Sequence, residues 1–382
     1  MYKTIEELVT RVDERNNDGI VSELIGVSID KCFIKSVANT NGTDLSKYKI
    51  IRKNDFAVSL MQVSRDGKIP VARLEEYEEA IMSPAYPIFR VKDKNIILPE
   101  YLEMWFKRPE FDREAAFIAV GGVRGSMPWE EFAKMKLPVP PIEKQRKIVN
   151  AYKIVTDRIA LKQRINDNLA NTEQLILHQA ISKNQTIPLS LNEIAEFIDG
   201  DRGKNYPTFD EFSASGFCLF LNASNVTSSG FNFDSCMFVT EEKDKIMRNG
   251  HLLLNDIVFT SRGTLGNVAL YDKNIKYKNV RINSGMLIIR PKGINLSPYF
   301  IYTLLKSNYM KSAIEQFRSG SAQPQLPIKD LQNITFDIPE SQNVLDDLEH
   351  RFFKIEETIS INKREIGDLN ELASILLTRL SH

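Results

Sequence analysis

Catalysis needs particular side chains at particular spacings, and this chain offers few. Its four histidines, His178, His251, His350 and His382, stand apart from one another and from Cys32, Cys218 and Cys236. None has a His or Cys at metal-ligand spacing, so surface or packing roles are expected. Gly67-Lys68 and Gly203-Lys204 lack the rest of a phosphate loop. The Asn/Asp-Pro-Pro-Tyr/Phe tetrapeptide with which amino-methyltransferases grip a flipped base is missing. One triplet, Asp234 with Glu241 and Lys243, has the types that a metal-dependent nuclease gathers around a phosphate. It lies among other charges, Glu242 included, where a solvated face is the plainer reading. The chain is therefore expected to be non-catalytic alone, with no metal site of its own.

Binding chemistry is better represented. The segment SRGTLGN (261–267) offers Arg262 between a strand-like run and two glycines, with Thr264 and Asn267 beside it. Glycine lets a backbone approach DNA closely, and arginine forks onto guanine O6 and N7. The competing reading is a hairpin turn with a solvated arginine. GGVRGS (121–126), with Arg124, and SGSAQPQ (319–325), with Gln323, occupy equivalent places before Pro128 and Pro327. They read either as phosphate-binding loops at a helix start or as plain caps. Arg202 and Lys204 lie in a loop beside Tyr206, and Arg65, Lys68 and Arg73 form a comparable basic cluster earlier in the chain. Charge next to an aromatic suits a nucleic-acid edge.

The elements that would carry these residues come as a repeat. In order along the chain, TIEELVTRVD (4–13) matches SLNEIAEFID (190–199), and KNDFAV (53–58) matches LNDIVF (254–259). MPWEEFAKMKLPVP (127–140) then matches LPIKDLQNITFDIP (326–339), and the pattern of 158–177 returns at 358–377. The offset grows from 186 to about 200, so the second copy holds extra residues in its early part. Each copy opens with short β-like runs and one helix (98–111 and 296–317), reading as mixed α/β globules over 1–140 and 187–339. Each closes with a long stretch, 141–183 and 340–382, proline-free from Ile142 to about Ser182 and from about Ser341 to Leu380. With 382 residues, 42% hydrophobic and 26% charged, the chain is long enough for these parts and ordinary for a soluble protein. Equal counts of 50 basic and 50 acidic residues exclude a polybasic tail but not local basic surfaces. Three scattered cysteines suit a reducing, cytoplasmic setting. The opening residues lack a signal peptide's apolar core, and no apolar run approaches a membrane span.

The two long stretches read as helices with coiled-coil seams. Spacings of four and three link Leu348, Phe352, Ile355, Ile359, Asn362, Ile366, Leu369, Ala373, Leu376 and Leu380. A weaker seam runs through Ile148, Tyr152, Val155 and Ile159, then Asn166, Leu169, Ile176 and Ala180. Residues 142–183 hold eight basic and four acidic side chains, and 340–380 hold five and nine. Opposite charge and matching seams predict that the two helices pair with each other. The rival arrangement leaves each helix on its own globule.

With these pieces the sequence resembles the DNA specificity (S) subunit of type I restriction-modification systems, over nearly its whole length. The resemblance rests on LPVPPIEKQRKIVNAYKIVTDRI (137–159), FIDGDRGKNYP (197–207), NDIVFTSRGTLGNVAL (255–270) and SGSAQPQLPIKDLQNITFDIP (319–339). It implies two target-recognition domains alternating with two antiparallel spacer helices, a pseudo-two-fold arrangement. Each domain would read one half of a split site in double-stranded DNA, and the helices would dock two methyltransferase subunits. Restriction subunits would complete the endonuclease complex. S-adenosylmethionine would sit in the methyltransferase, and ATP and Mg²⁺ in the restriction subunit, with no cofactor in this chain. RVDERNN stands where FIDGDRG would fall in the first half, which implies that the halves read different sequences. A metal-dependent nuclease and a coiled-coil scaffold without base reading are the alternatives.

Overall fold

The structure is a computed structural model and describes residues 1–36, 43–120, 125–292, 296–317 and 325–381. It divides into two compact units, Met1–Leu161 with Ile366–His382, and Lys162–Glu365. Both are built to one plan.

Each unit carries the same local signal at the start of its globule. Thr4 and Glu7 form a capping box around the short helix Ile5–Leu8, and Ser190 and Glu193 do so around Leu191–Ile194. A side-chain oxygen and a carboxylate thereby satisfy N–H groups that a helix start leaves open. The strand that follows enters a four-stranded antiparallel sheet. In the first unit the order is Val9–Val12, Ile88–Val91, Phe56–Val58, Val71–Arg73. In the second it is Ala195–Asp199, Met286–Pro291, Ile257–Thr260, Val268–Leu270. The strands preceding the two capped helices pair with the last strand of their own globule, Tyr2–Thr4 with Lys136–Pro138 and Thr186–Ser190 with Thr335–Pro339.

The repeated Asn-Asp pair has a structural cause. Asn54 and Asn255 turn the chain through the left-handed region at φ 70° and 73°, which asparagine tolerates better than most residues. The next residue, Asp55 or Asp256, is 1% exposed in its side chain. Each receives both arms of an arginine from the neighbouring strand, Arg90 at 2.5 and 2.8 Å and Arg290 at 2.8 and 2.8 Å. Each also accepts the N–H of a residue three positions back, Arg52 or Leu253. The arginine fork and the backbone N–H together satisfy the buried carboxylate oxygens.

The helix expected over 98–111 is two, Pro99–Phe106 and Pro109–Ile118. Pro109 cannot donate to a continuing helix and pushes Arg108 into extended backbone. The helix expected over 296–317 also breaks, into Pro298–Leu305 and Asn308–Phe317. There Ser307 ends one helix and caps the next through the N–H of Met310 at 3.1 Å. These helices cover one face of each main sheet. In the first unit the core is aromatic, with Phe56, Phe89, Phe106, Phe111 and Phe132 in mutual ring contact. In the second it is mainly aliphatic around Phe259, Phe300 and Phe352. The second unit adds a three-stranded sheet in which Cys218–Leu221 runs parallel to Val280–Ile282 and antiparallel to Phe238–Val239.

The long helices are Ile142–Lys183 and Gln342–Thr378, each shared by the two units. In the first unit Ile148 and Tyr152 pack on the cluster that holds Leu377 and Leu380, and Val155 is buried. In the second, Lys162 bridges to Glu365 at 2.5 Å and donates to Asn362 at 2.9 Å, while Asn362 donates to Asn166 at 2.8 Å. Higher numbers on one helix meet lower numbers on the other, so the pair is antiparallel. Leu348, Phe352 and Ile359 are buried, and Ile159, Ile355, Ile366, Leu369 and Leu376 are half-buried. At the far end Leu377 is buried more deeply than Leu376. No helix among the described residues is long and apolar enough to cross a membrane.

Candidate nucleic-acid interface

At one edge of the second unit four loops are tied in series by bonds to backbone carbonyls. The first follows the strand Ala195–Asp199. It can lie flat against the turn at 283–285 because position 200 is glycine: a Cβ there would run into the carbonyl of Asn283. Arg202 donates to the Ser284 carbonyl at 3.3 Å and pairs with Asp199 at 2.9 Å. Ser261 then hangs on Gly285, through its N–H at 3.0 Å and its hydroxyl at 3.1 Å. Arg262 bridges to Gln325, and Leu326 donates to the Ser261 carbonyl.

This arrangement brings together three segments that the sequence singled out separately. Arg262 is exposed, and its guanidinium has no partner among the described residues. Its loop is rigid: Thr260 donates to the Thr264 carbonyl and accepts the Asn267 N–H at 2.9 Å. Gly266, at φ 88°, passes so close to Ile314 that a Cβ would stand 2.8 Å from it. Thr264 is exposed, with its hydroxyl 3.5 Å from the Ala223 carbonyl. Asn267 is half-buried and spends its amide on the Val226 carbonyl at 3.0 Å, so it holds the loop. Lys204 is exposed. Tyr206 turns its ring into the core, edge-on to Phe220 at 5.6 Å, and burial pushes its hydroxyl pKa up.

The first unit has the counterpart. Met127 donates to the Leu60 carbonyl as Leu326 does to Ser261, which docks the segment before Pro128 on the turn carrying Arg65. Arg65 and Lys68 are exposed, Arg65 pairing with Asp66 at 2.8 Å. Arg73 does not belong to this surface. Its side chain is 5% exposed and is held by Glu103 at 2.8 Å, Asn54 at 2.9 Å, Glu75 and Glu100. Three carboxylates make it an internal tie, which corrects its expected place in the basic cluster. Arg124 and Gln323 lie outside the described residues.

The nuclease triplet does not form a site. Lys243 is drawn to Glu211 at 2.8 Å, and Glu241 pairs with Lys245 at 2.8 Å. Among the described residues no group of three His, Cys, Asp or Glu is placed to hold a metal. Sequence reasoning missed the segment 244–250, which no motif marks. Its carbonyls at Asp244, Met247 and Asn249 all bind the buried Arg281, at 2.8, 3.1 and 2.8 Å. Asn205 donates to the Ile246 carbonyl at 3.1 Å, which sets this segment against the Arg202–Lys204 loop.

The chain is similar to several known proteins. An archaeal protein, the type I restriction enzyme MjaIX specificity subunit of Methanocaldococcus jannaschii, is 21% identical over 304 residues, 75% of this chain and 69% of that one. The crystal structure of a type I restriction-modification system S subunit from M. genitalium shares the fold, with a TM-score of 0.60 at 17% identity over 100% of this chain and 96% of that one. The sequence model of the type I restriction modification DNA specificity domain matches twice, over residues 13–171 and 188–370. With both halves matched, on both copies of one scaffold, the chain belongs to the type I restriction-modification DNA specificity family.

Proposed function

We propose that this chain is the non-catalytic specificity subunit of a cytoplasmic type I restriction-modification complex and reads a bipartite target in double-stranded DNA. One globule, 1–140, reads one half-site and the other, 187–339, reads the second. The observation that carries this is a scaffold used twice with different loop edges. Sheet order, capping boxes and the Asp–Arg tie repeat, while the exposed cations do not: Arg65 and Lys68 in one, Arg202, Lys204 and Arg262 in the other. Phosphate contacts set position and base contacts set sequence. Unlike edges on like scaffolds therefore read unlike half-sites.

The helices supply the docking surface for the methyltransferase. Exposed apolar residues recur at repeat-equivalent positions, Leu161 with Ile361 and Leu175 with Ile375. The first unit presents Leu161 and Ile375, the second Ile361 and Leu175. Exposed apolar positions repeated on both copies of the scaffold call for two copies of one partner. Restriction subunits join that assembly. S-adenosylmethionine belongs to the methyltransferase, and ATP with Mg²⁺ to the restriction subunit.

The test is a domain exchange. Residues 187–339 are replaced by the equivalent part of a relative, and the DNA of a host expressing the chimera with its methyltransferase is sequenced for methylation. One half of the methylated motif should change and the other stay. A change in both halves, or in neither, would overturn independent reading.

A further inference from the structure

The segment 244–250 carries an arginine that no motif marks. Arg248 is exposed, and no described residue takes its guanidinium. Its main chain is fixed from two sides. Beneath it, Arg281 gathers the carbonyls on either side and adds an ion pair to Asp244. Beside it, its own N–H donates to Asp201 Oδ2 at 2.8 Å. The other oxygen of that carboxylate, Oδ1, accepts the N–H of Arg202 at 2.8 Å. One carboxylate therefore clamps together two loops, each with an arginine at the clamped position.

The two arginines then differ. Arg202 is spent on Asp199 and the Ser284 carbonyl, so it braces the edge. Arg248 has a clamped backbone and a fork that no described residue takes. A side chain on a fixed base with unused donors is what reading a base edge requires. A phosphate contact demands less direction, since a lysine ammonium can serve it as a point charge.

We infer that Arg248 reads a base in the half-site of the second unit, and that Asp201 is its positioning residue. This rests on the proposed function above and names the residue that carries part of it. Guanine, with its two major-groove acceptors, is the base whose edge matches the fork.

The experiment uses the full chain copurified with its methyltransferase, in wild-type form and as R248A, R248K, D201A and D201N. Methylated motifs are read by sequencing, and binding is measured on cognate and single-substituted duplexes across a salt series. R248A and R248K should both relax one position in one half of the motif. Affinity for the cognate duplex should fall about 5- to 140-fold, with scrambled duplexes little affected. D201A should relax the same position, and D201N, which keeps one acceptor oxygen, should do so less. An unchanged motif in R248A overturns the inference. So does recovery in R248K with a uniform loss in R248A and a shallower salt slope, which marks a phosphate contact. If wild-type complex shows no bipartite motif, the proposed function itself falls, and that outcome is visible before any variant is compared.

Discussion

Replacing Lys306 with methionine should destabilise the second unit in a pH-dependent way. Lys306 lies between two carboxylates from the two long helices, Glu173 at 2.9 Å and Glu356 at 2.6 Å. Its ammonium also stands 4.6 Å from the centre of the Tyr302 ring. Glu173 is fully buried and accepts the Thr303 hydroxyl at 2.8 Å. Burial pushes the Glu173 carboxyl up to about 7, the Glu356 charge adds to this, and Lys306 and Thr303 pull the other way. Removing one partner from a buried ion pair costs about 3–5 kcal/mol, because the charge left behind is uncompensated. At roughly 2–4 °C per kcal/mol for a unit of this size, the melting point should fall about 6–20 °C at pH 8. The sign with pH follows from the raised pKa. In the wild type, stability from Glu173 is complete below its unfolded value and is lost as pH rises through about 7. Without the cation its folded pKa moves higher still, so the deficit of the variant grows with pH. At pH 5 Glu173 carries a proton in both proteins and only Glu356 misses its partner, so the deficit should be smaller. Calorimetry of the full chain at pH 5 and 8, with amide exchange over 298–317 to assign the transition, measures both. Equal deficits at the two pH values, or less than about 1 kcal/mol at pH 8, would refute the argument.

Two further outcomes are expected. D55A should lower the stability of the first unit by about 1–2 kcal/mol and D256A that of the second by about 1–3 kcal/mol, since each leaves a backbone N–H without its acceptor and Arg90 is more open to water than Arg290; amide exchange within the untouched unit should not move. Charging the patch of the second unit with L175E and I361E should leave a complex with one methyltransferase subunit instead of two, counted by native mass spectrometry. Loss of both subunits, or of neither, would contradict two equivalent patches.

Much of this scaffold was legible because its signals are local. Thr4 with Glu7 and Ser190 with Glu193 are three residues apart, so the capping boxes are visible in the letters. The Asn-Asp turns and the four-three spacing of the seam are equally short-range. The proposed binding edge was half legible. Arg262 stood out because its glycines are adjacent in sequence. Arg73 was misplaced because its ties to Glu100 and Glu103 come from a helix about thirty residues on. Arg248 was invisible because its clamp comes from Asp201, 47 residues before it. The same distance hid the three-stranded sheet, where Cys218–Leu221 pairs with a strand about sixty residues later. Nothing in a hydrophobic pattern states which cation is neutralised by a partner elsewhere in the chain, and that decides which one stays free for DNA.

The seam itself poses a question that its apolar residues cannot answer. A pattern repeating every seven residues fits equally well after a slip of seven, which moves one helix about 10 Å along the other. Polar residues in the seam remove that freedom. Lys162 meets Glu365 and Asn362, and Asn362 meets Asn166, all within the second unit. A slip of one heptad sets Asn166 against Ile355 or Leu369 and takes Lys162 from its carboxylate. Leaving such groups buried without partners costs about 1–3 kcal/mol each. A single buried asparagine is known to set register at some expense in stability, and here four polar side chains share the task. The half-buried isoleucines and leucines hold the helices together, and the asparagines and the lysine decide where. The polar seam residues thus give up some stability in exchange for one register.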